Sequence, residues 1–447
     1  MSRLNGRAIR IGAGAGFAGD RIEPAVELVE RGDLDYLCFE CLAERTIALA
    51  QLAAQRDPSS GYDPLLERRF RAVLPGAHAN RVKIITNMGA ANPMAAAKAT
   101  ARIARELGLK GLRVAAVLGD DVLALIEPLD LPFTDKAGSV ADIRGNLISA
   151  NAYLGAFPIA RALSDADVVL TGRVCDPALF LAPMINEFGW SSSDWALLGR
   201  GTVIGHLLEC AGQLTGGYFA DPGRKDVHDL ARLGFPIAEV WNDGTAVLTK
   251  VEGSGGQISV ATCKEQLLYE IFDPSTYLQA DVVADFSAVQ FAELGPDRIG
   301  VTGGAGRGRT DTLKVSVGYR DGFIGEGQIS YAGPGAVERG TLAGEIVRER
   351  LSLIGLPVRA LEIGLVGVNA VNRTGQPAEP AEVRLRVAAR TDDPSSAAQI
   401  GAEVEALYLN GPSGGGGVTR SVRETVAVAS VLIDRHLVEP EIVVEIA

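Results

Sequence analysis

Several short stretches place side chains that carry protons next to side chains that hold oxyanions. In Leu37-Cys38-Phe39-Glu40-Cys41-Leu42-Ala43-Glu44 an apolar run passes into a helical pattern. If the helix begins near Glu40, then Glu40 and Glu44 share a face, and two such carboxylates drive their pKa values apart into an acid and a base. The alternative is a helix-start acid followed by a surface charge. In Gly205-His206-Leu207-Leu208-Glu209-Cys210 the imidazole and carboxylate stand three apart on one helix face. Glu209 would hold His206 as a general acid or base, or His206 is a core histidine satisfied by its neighbours. That spacing also suits a metal, but the chain has 4 histidines and no H-x-x-x-H or thiolate set, so no metal is expected.

Other stretches supply groups that hold oxygen. Thr171-Gly172-Arg173-Val174-Cys175-Asp176 offers a guanidinium fork for an acid or thioester oxygen, oriented by Asp176 or tied to it in a structural ion pair. Asn87 and Asn92 flank Met88-Gly89-Ala90-Ala91; both amides can donate to a ligand, and Asn92 can instead cap the helix opened by Pro93. Asp120 closes another run, as a ligand acceptor or a cap, and Thr215 opens a glycine turn. Gly12-Ala13-Gly14-Ala15-Gly16 is G-x-G-x-G, not the G-x-G-x-x-G of a dinucleotide turn. Asp20 and Glu23 just beyond it would repel a pyrophosphate, so this is a structural turn or a loop presenting Asp20 to substrate rather than a nicotinamide site. Two glycine runs carry arginines: Gly303–Gly308 with Arg307 and Arg309, and Gly414–Gly417, including Gly415, with Arg420 and Arg423. Such runs form backbone nests for anions, and a coenzyme A tail fits them; ordinary mobile loops have the same composition.

The elements that must position these groups alternate. Ala8–Gly12, Leu34–Phe39, Val82–Thr86, Leu112–Leu118 and Asp167–Thr171 read as buried strands, with helices Pro24–Glu30 and Pro93–Leu107 between them. The fold class is α/β: a mostly parallel, Rossmann-like sheet in the first half and a second, more β-rich α/β domain. Ligands of such sheets sit at the carboxyl ends of the strands, where the polar stretches fall. Composition shifts near Trp241, so the expected domains are 1–240 and 241–447. The second is predicted to end with helix Ser395–Leu409, the glycine run, a helix over Arg423–Arg435 and strand Glu441–Ile446.

A net charge of −12 over 447 residues repels polyanions, which excludes nucleic acid as partner, and any anionic ligand must meet a local basic pocket. No stretch is apolar enough to span a membrane and Met1–Arg10 lacks a signal-peptide core, so a cytoplasmic location is expected. Five scattered cysteines suit reduced thiols; redox catalysis is not indicated.

GAGAGFAGDR, DYLCFECLAERT, ITNMGAANP, LTGRVCDPALFLAPMINEFGW, GHLLECAGQLTGGY, YEIFDPSTY and NGPSGGGG together resemble the acyclic terpene utilisation A family, from about Ile9 to beyond Gly417. The resemblance implies bacterial breakdown of citronellol- and geraniol-like acids as coenzyme A thioesters, with no catalytic step to carry over. Some relatives append a ferredoxin-like domain; here the chain stops at Ala447, so a separate small subunit is expected to supply it. The expectation is thus an enzyme of small-acid or acyl-thioester catabolism, of lyase or hydratase type, and a homo-oligomer. Glu40, Glu44, His206 and Glu209 would move protons, Arg173 and Asn87 would hold the carbonyl or carboxylate, and Arg307 or Arg420 would meet phosphate. The alternative is a non-catalytic acyl-thioester-binding subunit or scaffold.

Overall fold

The computed structural model describes residues 7–371 and 380–447. Strands β1 (Ile9–Ala15), β2 (Tyr36–Phe39), β3 (Lys83–Thr86), β4 (Arg113–Leu118), β5 (Leu147–Ala152), β6 (Val168–Thr171), β7 (Pro236–Val240) and β8 (Ala246–Lys250) lead the chain. Five of them form the parallel centre of a ten-stranded sheet, in the order β1-β2-β3-β6-β4. Continuous apolar runs such as Val168–Thr171 are buried on both faces because helices cover both sides. The outer strands are antiparallel: β7, β8, Arg298–Thr302 and Gln290–Gly295 beyond β1, and Glu441–Ile446 beyond β4.

The expected boundary at 240/241 therefore falls inside this sheet, where β7 pairs with β8. Two compact units are found elsewhere along the chain: Met1–Gly318 with Val428–Ala447, and Tyr319–Ala427. The composition shift near Trp241 marks a change from parallel to antiparallel pairing within one sheet, not a change of unit.

In the second unit the order is strand, helix Ala336–Leu353, strand Ala360–Val366, strand Glu382–Thr391, helix Pro394–Glu405, strand. Its first and last strands belong to the long strands Thr312–Ala332 and Gly416–Asp434. Spatially the four stand second, third, first, fourth, with antiparallel pairing around the third. This is the split βαβ, ferredoxin-like arrangement. Alternation along Glu382–Thr391 turns Val383, Leu385, Val387 and Ala389 into the core with Ile400 and Val404. The helix expected over Arg423–Arg435 is strand through Asp434: half of Val-Ala-Val-Ala-Ser-Val-Leu-Ile is β-branched, and its period suits a sheet.

Candidate functional site

Each parallel strand of the central sheet delivers polar residues at its carboxyl end: Gly16–Asp20 after β1, Glu40 after β2, Asn87 after β3, Asp120 after β4 and Arg173–Asp176 after β6. Glu40 is buried; its Oε1 accepts from the Leu42 N–H and from Asn87 Nδ2, both at 2.9 Å. Asn87 Oδ1 in turn accepts from the Cys41 N–H at 2.7 Å, so this amide ties Glu40 to the backbone of its own loop. Burial, then the charge of Asp176, pushes the Glu40 pKa well above the ordinary carboxyl range, against Arg173 and the two hydrogen bonds.

The helix begins at Glu44, with Glu40 outside it, so the two acids do not share a helix face as expected. Their separation is nonetheless chemical. Burial opposes ionisation of Glu44, but Arg173, the Tyr153 hydroxyl and Lys314 outweigh it, and the pKa falls to about 2. Tyr153 donates to Glu44, and Lys314 Nζ lies 3.3 Å from Glu44 Oε1. Burial thus favours the neutral form of one carboxyl, while its neighbour four residues on is pulled toward the ionised form.

Arg173 is 3% exposed at its side chain. It donates from Nη1 to the Leu42 carbonyl, meets Asp176 Oδ1 from Nη2 at 3.0 Å and stacks 4.3 Å from the Tyr153 ring centre. Its backbone N–H donates to Asp120 Oδ2 at 2.8 Å, which Asn151 also reaches at 2.9 Å. Asp120 is therefore a buried brace of the Arg173 loop; burial lifts its pKa to about 6 against those bonds. A Cβ on Gly172 would lie 2.4 Å from the Asp120 carboxylate, which is why glycine precedes the arginine.

The third part comes from helix Trp195–Glu209. His206 Nδ1 and Glu209 Oε1 are 2.7 Å apart, and Tyr277 and Phe286 wall the imidazole at 5.6 and 5.4 Å between ring centres. Burial, helped by Asp176 and Glu270, raises the Glu209 pKa to about 7 against the pull of His206. Burial disfavours a charged His206, but Glu209 outweighs it and the His206 pKa lies above its ordinary value. Asp176 is within electrostatic reach of Glu40, Arg173, Glu44 and Glu209 alike, so these residues from three separate segments form one cluster. Among the described residues, Arg173 Nε and Glu209 Oε2 are buried with no hydrogen-bond partner, while the outer edge of the His206 ring faces the Gln266 and Leu267 backbone.

Beside the cluster, at the end of β1, a cavity of about 520 Å³ is lined by Gly16, Phe17, Asp20, Cys210, Tyr218 and Tyr269, among others. Gly12 and Gly14 lie within β1, where a Cβ would strike Leu34 at 2.7 Å and Phe39 at 2.5 Å; they serve strand packing. The Gly16 N–H donates to Asp20 Oδ2 at 2.9 Å, so the chain's own carboxylate takes the place of an anion in this turn. Burial raises the Asp20 pKa against that bond and the one from the Arg21 N–H.

Other expected residues are spent elsewhere. Asn92 caps its helix by accepting from the Ala95 N–H at 3.1 Å and donates to the Pro58 and Ser60 carbonyls. Thr215 donates to the Gly212 and Gly234 carbonyls. Arg307 holds the Ser275–Thr276 turn, whose Ser275 carbonyl it meets at 2.8 Å. Arg309 feels Asp281 and Arg435. Arg420 pairs with Glu405 at 2.8 Å, and Gly415 packs on Ile329 and Tyr331 in the second unit.

Tyr153, Lys314 and Arg69 were not foreseen. Arg69 is fully buried and donates to the Ala18 and Asp20 carbonyls, Cys41 Sγ and Met88 Sδ, tying the β1 and β2 loops together. Its place on the apolar face with Leu66, Phe70 and Val73 was a legible signal of a buried charge. Tyr153 follows β5, a strand the periodicity did not disclose.

Among the described residues no cluster of three or more His, Cys, Asp or Glu could hold a metal ion, and no helix is long and apolar enough to cross a membrane. All five cysteines are free.

No curated protein matches the chain. One solved structure with local likeness is the crystal structure of an amidase of the hydantoinase/carbamoylase family from Burkholderia multivorans, 17% identical over 28% of this chain and 30% of that one. Its TM-score is 0.15, so the likeness carries no argument. The family model described as acyclic terpene utilisation family protein AtuA matches residues 9–444, nearly the whole chain and every strand end of the cluster. The chain belongs to the acyclic terpene utilisation family AtuA, a membership that suggests a catabolic role.

Proposed function

We propose that the chain is an enzyme of small-acid or acyl-thioester catabolism that works by proton transfer, as a lyase or hydratase. The reading rests on one observation above the others: two buried polar atoms, Arg173 Nε and Glu209 Oε2, lack hydrogen-bond partners among the described residues beside a Glu40 whose pKa is raised. A native interior leaves few such atoms unbonded, and a substrate that fills their bonding capacity is the economical explanation.

In the dehydration direction the roles divide as follows. The His206–Glu209 pair takes the proton from the carbon next to the thioester or carboxyl carbon. Arg173 meets the negative charge that gathers on the carbonyl oxygen. The C–O bond at the next carbon breaks, and Glu40, kept protonated by burial, gives its proton to the departing oxygen so that water leaves. Hydration is the same sequence reversed. Asn87 acts as a positioning residue for Glu40, and Glu44 with Tyr153 and Lys314 positions Arg173. Terpenoid acids and their coenzyme A thioesters are the first substrates to assay.

Glu40→Gln keeps the Asn87 and Leu42 contacts and removes the proton donor. Turnover of a panel of branched unsaturated acids and their thioesters should fall by about 10²-fold or more in this variant while its circular dichroism and melting curve stay those of the parent. Undiminished turnover would remove Glu40 from the mechanism. Should the parent chain be inert on the whole panel yet gain activity with a small copurifying subunit, the binding-subunit reading would replace this one.

A further inference from the structure

The second unit holds a groove that the proton-transfer reading does not use. It measures about 620 Å³ and is lined by Ser330, Tyr331, Arg384, Gly414, Gly416 and Gly417, among others. Arg384 donates to Gln328 from Nε, to Ser330 Oγ at 3.1 Å from Nη1, and to Thr419 Oγ1 at 3.0 Å and the Gly417 carbonyl at 3.4 Å from Nη2. Every one of these acceptors is neutral. Along the same strand Arg386 pairs with Glu326 and Arg390 with Asp321, so Arg384 differs from its neighbours in having no carboxylate partner among the described residues.

Arg339, which anchors the start of the glycine run, repeats the pattern. Among the described residues it donates only to main-chain carbonyls: Ala332 at 2.7 Å, Ser413 at 2.9 Å, Pro334 at 3.1 Å and Gly335 at 3.2 Å. Two guanidinium charges thus flank the run against one lining acid, the exposed Glu382. Tyr331 lines the groove and is 1% exposed, and its buried hydroxyl has no hydrogen-bond partner among the described residues. Gly415 lies directly over that ring, where a Cβ would be 3.1 Å from it. A Cβ on Gly416 or Gly417 would meet nothing within 4 Å, so the backbone there faces open space, and Gly414 and Gly417 adopt φ of +75° and +65°. In a chain of net charge −12, an uncompensated cation beside exposed backbone is where an anion is drawn.

We propose that this groove binds the oxyanion of a small molecule, a phosphate or a carboxylate, with Arg384 as counter-ion and the glycine run as its backbone wall. The site lies within Tyr319–Ala427 and stands or falls independently of the first unit's chemistry.

Calorimetric titration of the full chain with inorganic pyrophosphate and, separately, with isovalerate tests it. A saturable site that Arg384→Gln weakens and Glu40→Gln leaves in place is expected, and the stronger of the two ligands at that site identifies the source of the oxyanion. Arg384→Gln should weaken binding about tenfold or more, Arg384→Lys less, because a charge remains without the planar fork. Tyr331→Phe should weaken it too while raising the melting temperature. Glu40→Gln should leave it unchanged. Saturation by neither ligand, or full affinity in Arg384→Gln, overturns the proposal. If Arg384→Gln does not fold, ¹⁵N-glycine spectra of the parent chain decide: shifts at Gly414, Gly416 and Gly417 on titration uphold the site, and their absence overturns it.

Discussion

The two polar regions of this molecule handle charge in opposite ways. At the strand ends of the first unit the groups are buried and mutually compensated: Arg173 answers Asp176 and Glu44, and His206 pairs with Glu209. In the second unit Arg384 and Arg339 are bonded, among the described residues, only to neutral oxygens. The first arrangement splits pKa values among neighbours; the second leaves net charge for something outside the chain. Glycine follows the same division. Gly172 and Gly14 are small because a carboxylate and a ring press on them, whereas Gly416 and Gly417 are small over open space.

The sharpest way to break this contrast is at Glu40. Glu40→Gln should lower turnover by about 10²–10⁴-fold, the usual contribution of a positioned acid, with the fold kept. Arg173→Gln comes next. It leaves Asp176 and Glu44 without their main counter-charge, and chemical denaturation should show a loss of roughly 3–5 kcal/mol. A much smaller loss would mean that the first unit's charges are not compensated as a set.

The pH dependence of stability separates the acids within the cluster. Glu209 holds its proton up to about 7 in the folded chain but releases it near 4.5 when unfolded, so stability should fall as pH rises through that window. Glu44 has the opposite sign. Its carboxylate contributes stability above its unfolded value of 4.5, and this is lost as pH falls toward 2. Glu209→Gln should flatten the neutral slope and Glu44→Gln the acid slope in denaturation midpoints taken across pH. Slopes that survive both substitutions would assign the titration to other groups. The smallest effect is expected at Tyr331, where Tyr331→Phe removes an unpartnered buried hydroxyl and should raise stability by about 1 kcal/mol. A loss there instead would reveal a partner for the hydroxyl and erase the difference between the two regions.

Much of the first unit was legible because parallel strands buried on both faces read as continuous apolar runs, and polar residues right after them mark the carboxyl rim. That is how Glu40, Asn87, Asp120 and Arg173 were found. Their division of labour was not legible. Asn87 and Asp120 have the same donor and acceptor atoms whether they meet a ligand or brace a neighbour, and only the Cys41, Leu42 and Arg173 backbone N–H groups in their places make them braces. The ferredoxin-like unit was missed for a related reason. Its boundaries cut through two long strands, Thr312–Ala332 and Gly416–Asp434, where no turn residue punctuates the chain.

The sequence by itself determined the α/β class, the parallel centre, the family and which residues stand at the strand ends, because each depends on local periodicity or on residue order. Tertiary structure decided which acids are protonated, which arginines lack a counter-charge and where one unit gives way to the next. Those properties arise from contacts between residues such as Glu44 and Lys314, or Arg384 and Thr419, far apart along the chain, and from the burial that sets the strength of each charge.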